Sequence, residues 1–513
     1  MRNTSYVRVA VAAFASACCI SRGAAQDYAG GESVAPASQT ASQATTQPTS
    51  QPSSVPSLAD REDALIPGPK YTKPRYDDDF SYLDGGPGTY KPDFFDPMKR
   101  LKFDDWTLNI GGEIRGRVES EARKQFGAEA ETQDTFFLHR YLLSADLRYR
   151  QSFRVYLEGV TAFVEDRDGP IVRSGEDRFD FSQLFADLRF LGEDVPLTLR
   201  VGRHEMNYGR GRLIAGGDWS NTTRVFDGVK IFWVGENWDL DVWWTQPVTR
   251  TPRSADMGEN DQDFYGVYGS YKGLTNHRID AYVLAFTDNG DVTNANLRVG
   301  DIGDLAVYTA GSRFGGRLPL GADVWDYDTE FAGQWGKFSA DTIQAFMWSL
   351  DTGYTFERAA MKPRLGVGLD YASGDRNPFD DIHQTFSPLF GNNHSYFGWI
   401  DQFTRKNIWA ANTSLKLRPI KNVEATAVWH MFWLDKNEDA YYGFTGSPSR
   451  RTPNGGGTGM ELGNELDILL SWRIDAHTQL LLGYSHLFTG EYLERTGRSE
   501  DTDLIYLQYR IQF

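Results

Sequence analysis

From Trp106 the chain reads WTLNIGGEIRGRVE (residues 106–119), and this stretch decides the fold. Trp106, Leu108, Ile110, Ile114 and Val118 take one side of an extended chain. Thr107, Asn109, Glu113, Arg115, Arg117 and Glu119 take the other. Successive side chains of a strand point to opposite faces, so a period of two predicts a β-strand with one apolar and one charged face. The pattern recurs. Tyr141, Leu143, Ala145, Leu147 and Tyr149 alternate with Arg140, Ser144, Asp146 and Arg148; Trp325, Tyr327, Thr329, Phe331 and Trp335 alternate with Asp326, Asp328, Glu330 and Gln334. Leu365, Val367, Leu369 and Tyr371 alternate with Arg364 and Asp370, and Val423, Ala425, Ala427, Trp429 and Met431 with Glu424, Thr426 and His430. About 18 candidate strands fit between Trp106 and Phe513.

A soluble sandwich alternates in the same way, so connection lengths carry the distinction. Tight turns are expected near 150–152, 192–196, 235–237, 273–276, 419–422 and 475–477. Long polar loops fall between them, near 121–135, 163–178, 247–263, 287–304, 373–406 and 435–462. Short turns at one end and long loops at the other mark an outer-membrane barrel. Ile505, Leu507, Tyr509, Ile511 and Phe513 then alternate to an aromatic-terminated strand, as such barrels commonly end. The expected fold is all-β: a single closed antiparallel transmembrane barrel of about 18 strands over residues 106–513, behind a disordered N-terminal extension.

Composition agrees. The 513 residues have a mean hydropathy of −0.49 and no run of roughly 18 apolar residues, which excludes a bundle of membrane helices. Aromatics make up 14%, the excess that interfacial girdles require. A net charge of −17 argues against a nucleic-acid partner. Residues 1–25 are expected to be a signal peptide: Arg2 and Arg8 precede an apolar run ending at Ile20, and Ala24 and Ala25 precede the cleavage point. Cleavage removes both cysteines, Cys18 and Cys19, and takes the net charge to −20 by removing three arginines and no acid. Residues 26–67 are a Ser/Thr/Gln/Pro-rich linker with too few apolar side chains to offset chain entropy, hence the expected disorder. Residues 68–105, Pro- and Asp-rich, read as a periplasmic pre-barrel segment; with an even strand number both barrel ends face the periplasm, so residues 27–105 could tether a periplasmic partner.

Three blocks of sequence are similar to the alginate-export family of outer-membrane barrels. They are RVGRHEMNYGRGRLIAGGDWSNTTRVFDGVKIFW from Arg200, VWDYDTEFAGQWG from Val324, and PRLGVGLDYASGD with TFSPLF after it from Pro363. The resemblance spans roughly Trp106 to Phe513. It implies an eighteen-stranded barrel that conducts a polysaccharide or sugar, and it carries Arg203, Glu205, Arg212 and Asp227 over as candidate lumen or constriction residues.

Arg200, Arg203, Arg210, Arg212, Arg224 and Lys230 face only Glu205, Asp218 and Asp227 between residues 197 and 230. Arginine forks suit the carboxylates of a uronate polymer, and a basic ring selects anions. The competing reading is that such charges only pair with one another across the wall. Arg140 and Arg148 share the inward phase of their strand. Glu113, Glu158, Asp187, Asp326, Asp328, Glu330 and Asp370 form an acidic inward set. A calcium site at Asp326, Asp328 and Glu330 lacks the turn and carbonyl ligands that calcium needs. Phe185, Trp243, Phe432 and Tyr282 fall on candidate inward positions and could stack on sugar rings.

No nucleophile elbow, P-loop or zinc helix occurs, so no catalytic residue, metal or cofactor is expected. Ser485/His486 and His430 are the residues that could make a wall hydrolase. The expected function is passive export of an anionic, alginate-like polyuronate through the outer membrane of a diderm bacterium, with membrane lipid and the polymer as partners. Uptake of small sugars, sugar acids or other nutrients is the alternative.

Overall fold

The structure, a computed structural model, describes residues 68–513 apart from 86–88, 128–132, 169–174, 193–194, 253, 294–301 and 454–456. The leader and linker expected over residues 1–67 lie outside the described residues. Among the described residues, eighteen antiparallel strands close into one barrel. They are β1 (Trp106–Ala122), β2 (Gln133–Tyr149), β3 (Phe153–Glu165), β4 (Asp177–Leu188), β5 (Leu197–His204), β6 (Phe226–Val234), β7 (Trp238–Thr249), β8 (Gln262–Tyr271) and β9 (His277–Thr293). The second half is β10 (Ile302–Leu320), β11 (Asp323–Phe338), β12 (Asp341–Thr355), β13 (Arg364–Ala372), β14 (Ile408–Ile420), β15 (Val423–Leu434), β16 (Glu461–Arg473), β17 (Thr478–Thr489) and β18 (Thr502–Gln512). Each strand pairs with its sequence neighbours, and β1 pairs with β18 from Glu113↔Gln512 to Ala122↔Asp503, which leaves no open edge between first and last strands.

The period of two becomes the two faces of the wall. Val201, Ile231, Val283, Phe331, Leu365, Ile468 and Ile505 point outward and are exposed. Glu113, Arg140, Glu158, Arg200, Asp280, Glu330 and Asp467 point inward and are buried. A charge on the outer face would lose its hydration in hydrocarbon, so the sequence puts charges on the alternate positions. Aromatic pairs ring the outer face near both ends: Trp106–Tyr149 and Trp238–Tyr271 at the turn end, Tyr308–Trp335 and Tyr371–Trp409 at the loop end.

The expected short turns all lie at one end and the expected long loops at the other. One connection departs from this sorting. β11 and β12 are joined at the loop end by residues 339 and 340 alone, where the alternation runs through without a polar interruption long enough to announce a loop.

The wall predicts how it fails. Ile468, near the middle of β16 and half exposed on the outer face, should not tolerate charge: Ile468→Arg is expected to cost about 2–4 kcal/mol in lipid. Phe444→Arg, in the loop after β15, should cost little. Urea unfolding in liposomes, followed by tryptophan fluorescence, measures both.

Candidate functional site

The inner wall is a mesh of ion pairs. Arg200 grips Asp187 with two parallel hydrogen bonds of 2.7 and 2.8 Å, and its guanidinium lies 3.8 Å from the Phe185 ring. Arg140 donates to Glu113 at 2.8 and 2.5 Å. Arg313 bridges Asp280 (2.7 Å) and Asp328 (2.5 Å), and Arg364 holds Asp326 at 2.6 and 2.9 Å. Facing strands supply the partners because the register sets opposite charges side by side, as with Arg200 and Asp187.

The connection from β5 to β6, residues 205–225, turns into the barrel and crosses to the β1–β2 wall. Arg115 donates to the carbonyls of Asp218 (2.6 Å) and Ser220 (2.8 Å), and Arg117 to that of Trp219 (2.8 Å) while lying 3.7 Å over its ring. The Asp218 carboxylate is a hub: Arg140 at 2.7 Å, Arg510 at 2.6 Å, and Lys73 converge on it. The loop from β13 to β14, residues 373–407, folds inward against this segment. Ala215 N–H donates to the Phe390 carbonyl and Phe390 N–H to that of Leu213, both at 3.0 Å. Arg405, fully buried, donates to the Arg212 carbonyl and to Asp370, each at 3.0 Å. Trp219 stacks on His394 at 4.2 Å. The two loops form a septum toward the loop end.

A strap enters from the turn end. Lys70 and Asp79 pair backbone to backbone, and the chain between them carries Lys73, Arg75 and Tyr76 into the lumen. Arg75 is buried against Glu158 (2.9 Å) and Glu113 (3.1 Å). Tyr76 packs edge-on to Phe185 at 5.2 Å and donates to the Glu205 carbonyl at 3.0 Å. Burial pushes the strap's Asp78 carboxyl up to about 8, against the Thr72 N–H at 2.7 Å that pulls it down.

On the turn-end side of the septum, along β10–β15, lies a cavity of about 440 Å³. Seven basic side chains line it: Arg210, Arg212, Arg317, Lys362, Arg364, Lys416 and Arg418. Four aspartates face them: 326, 328, 351 and 370. Arg212 is held by Asp328 (2.6 Å) and Glu330 (3.1 Å), and Lys416 by Glu424 (2.9 Å). Arg210 has no ion pair among the described residues and sits beside Tyr396, whose hydroxyl donates to its carbonyl at 2.6 Å.

The alginate-export family profile matches residues 106–506, the whole wall short of the last few residues of β18. The chain belongs to the alginate-export family. Its barrel is similar to those of Pseudomonas aeruginosa OpdL (13% identity, TM-score 0.54, covering 80% of this chain and 99% of that one) and OpdQ (14%, 0.55, 79% and 98%). Acinetobacter baumannii OccAB3 is similar too (12%, 0.55, 79% and 99%). At such identities the likeness shows the fold. No curated protein matches the sequence. Family and fold together point to an outer-membrane channel.

The family's motif residues divide. Glu205 lies inside, holding Asn207 at 2.6 Å, and Arg212 lies at the cavity with Glu330. Arg203 and Asp227 are corrected: they are not lumen residues. Arg203 shares the outward phase of Val201, stands opposite outward Leu184, and pairs with Asp227 at 2.7 and 2.9 Å on the outer face near the loop end. Gly202, at φ +122, fits because a Cβ there would meet the Leu184 carbonyl at 2.3 Å. Being near the rim, the pair also finds the Asp256 carbonyl at 2.9 Å.

Arg140, Glu113, Arg200 and Asp187 are inward, each committed to a protein partner; Arg148 pairs inward with Asp146 at 2.8 Å. Arg210 and Asp370 reach the cavity. Phe185, Trp243, Tyr282 and Phe432 are inward but covered, by Tyr76, Tyr208, Tyr268 and Phe403 respectively. Ser485 stands opposite Asp467, and His430 opposite Glu465, so the serine has a carboxylate and not an imidazole as its cross-strand neighbour. Asp177, Asp180 and Asp256 converge at the loop end, but Arg250 already bridges Asp177 (3.1 Å) and Asp256 (2.6 Å).

Sequence reasoning missed the strap, the Asp218 hub and the basic residues near the turn end. Lys416 and Arg418 were findable, since they alternate on β14 with Leu415 and Leu417. Asp218→Asn is expected to loosen the septum, costing about 1.5–3 kcal/mol as charged hydrogen bonds are lost. Limited proteolysis should then cut within residues 205–225.

Proposed function

We propose that this channel exports an anionic, alginate-like polyuronate passively, the polymer being driven by periplasmic machinery or its own gradient. The observation that carries the reading is the cavity lining, seven basic side chains against four aspartates in a chain of net charge −17. Cations placed where a polymer passes offset the desolvation of its carboxylates, and several moderate contacts in series let a chain bind without arresting it. Arg210 is the best-placed contact, because it makes no ion pair among the described residues. Tyr396 beside it offers a ring for a sugar face. Arg212 and Arg364 contribute field more than contact, since each is engaged with a carboxylate.

Single-channel recording in a planar bilayer under a salt gradient tests this. An anion-selective reversal potential and block by added polyuronate are expected. Replacing Arg210, Lys416 and Arg418 with Ala should lower the anion-to-cation permeability ratio severalfold and weaken the block. Cation selectivity with indifference to the polymer would instead favour uptake of small sugars or sugar acids.

A further inference from the structure

The chain before β1 reaches deep into the bore. Arg75 meets Glu158, the sixth residue of the 13-residue strand β3, and Glu113 on β1. Tyr76 lies against Phe185 and Tyr156, and Arg154 donates to its carbonyl. Lys73 reaches the Asp218 carboxylate at the tip of the septum loop. The strap thus fills the β1–β5 side of the bore and fastens to the segment that crosses it.

We propose that residues 73–76 are a resident plug: a self-ligand in an acidic socket, which withdraws when the channel conducts. This rests on the channel reading and adds its regulation.

Three features carry it. First, the tip is held mainly by ion pairs and hydrogen bonds. These pairs are buried, and on withdrawal both members regain the water they had lost, which offsets the lost attraction, so the contact is more readily reversed than an apolar anchor of equal area. Second, the socket is matched to this ligand. Glu158 has Arg75 as its one ion-pair partner among the described residues, and its remaining contacts are Tyr156 (3.1 Å) and Gln183 (3.2 Å). Third, the base of the strap is moored at the mouth, where Tyr71 bonds His477 at 2.8 Å and Phe95 stacks on Phe513 at 5.3 Å. The tip can therefore leave while the segment stays at the barrel. Withdrawal removes two cations from the bore and uncovers Glu158, so opening also moves selectivity toward cations.

The test uses potassium chloride alone, so no polymer enters it. In the full chain with Cys18 and Cys19 replaced by Ser, the pair Tyr76→Cys and Phe185→Cys is oxidised to lock the tip. Locked channels are expected to show low conductance, rising severalfold on reduction. Separately, Arg75→Glu should raise conductance severalfold and shift the reversal potential toward potassium. Adding Glu158→Arg should return both to the parental values, and heat-modifiable mobility on gels confirms that each variant is folded. Equal conductance of locked and reduced channels, or of Arg75→Glu and parent, overturns the plug. So does a gain from Arg75→Glu that the charge swap fails to reverse. None of these outcomes bears on polyuronate block, which separates failure of the plug from failure of the export reading.

Discussion

The pairing of β1 with β18 is the constraint on which the rest depends. Inside hydrocarbon an unpaired peptide group costs several kcal/mol, and a sheet with a free edge carries a whole row of them. Closure satisfies the row at once, from Glu113↔Gln512 to Ala122↔Asp503. It also defines an inside. Once the sheet is closed, every second residue faces a confined space, and the charges that cannot face lipid must be accommodated there.

That confinement explains the mesh. A guanidinium in a narrow bore has lost much of its water and needs replacement oxygens. Carboxylates on facing strands supply some of them, as Asp187 does for Arg200. Carbonyls of an inward loop supply others, as Asp218, Ser220 and Trp219 do for Arg115 and Arg117. The septum is thus partly a solvation shell made of protein. The basic cavity along β10–β15 is the region this shell leaves open.

Wall and lumen were legible in the sequence to different degrees. Strand number, the sorting of turns from loops, and the inward phase of Glu113, Arg140 and Glu330 follow from a period of two, which is a property of neighbours along the chain. Arg203 and Asp227 were misplaced because a motif match fixes position but not face; the phase through Val201 puts them outside. The strap was illegible for another reason. Lys73, Arg75 and Tyr76 find Asp218, Glu158 and Phe185 across 83 to 145 residues of chain, and no local pattern encodes such a meeting. Phe185 and Trp243 were placed inward correctly, yet what covers them, Tyr76 of the strap and Tyr208 of the inward loop, came from elsewhere in the fold.

The strap's mooring sets an order of events in assembly. Tyr71 meets His477 at a separation of 406 residues, Phe95 meets Phe513, and the Asp218 that receives Lys73 is also held by Arg510 of β18. The contacts with His477, Phe513 and Arg510 come together only when the final hairpin has returned to β1. The mooring at the mouth therefore completes last, whereas the tip's partners on β1, β3 and β4 come from the first strands of the wall. Contacts this distant are paid for in loop entropy before they return anything. A moored strap consequently certifies a finished barrel: a chain stalled before closure lacks the mouth at which its base is fastened.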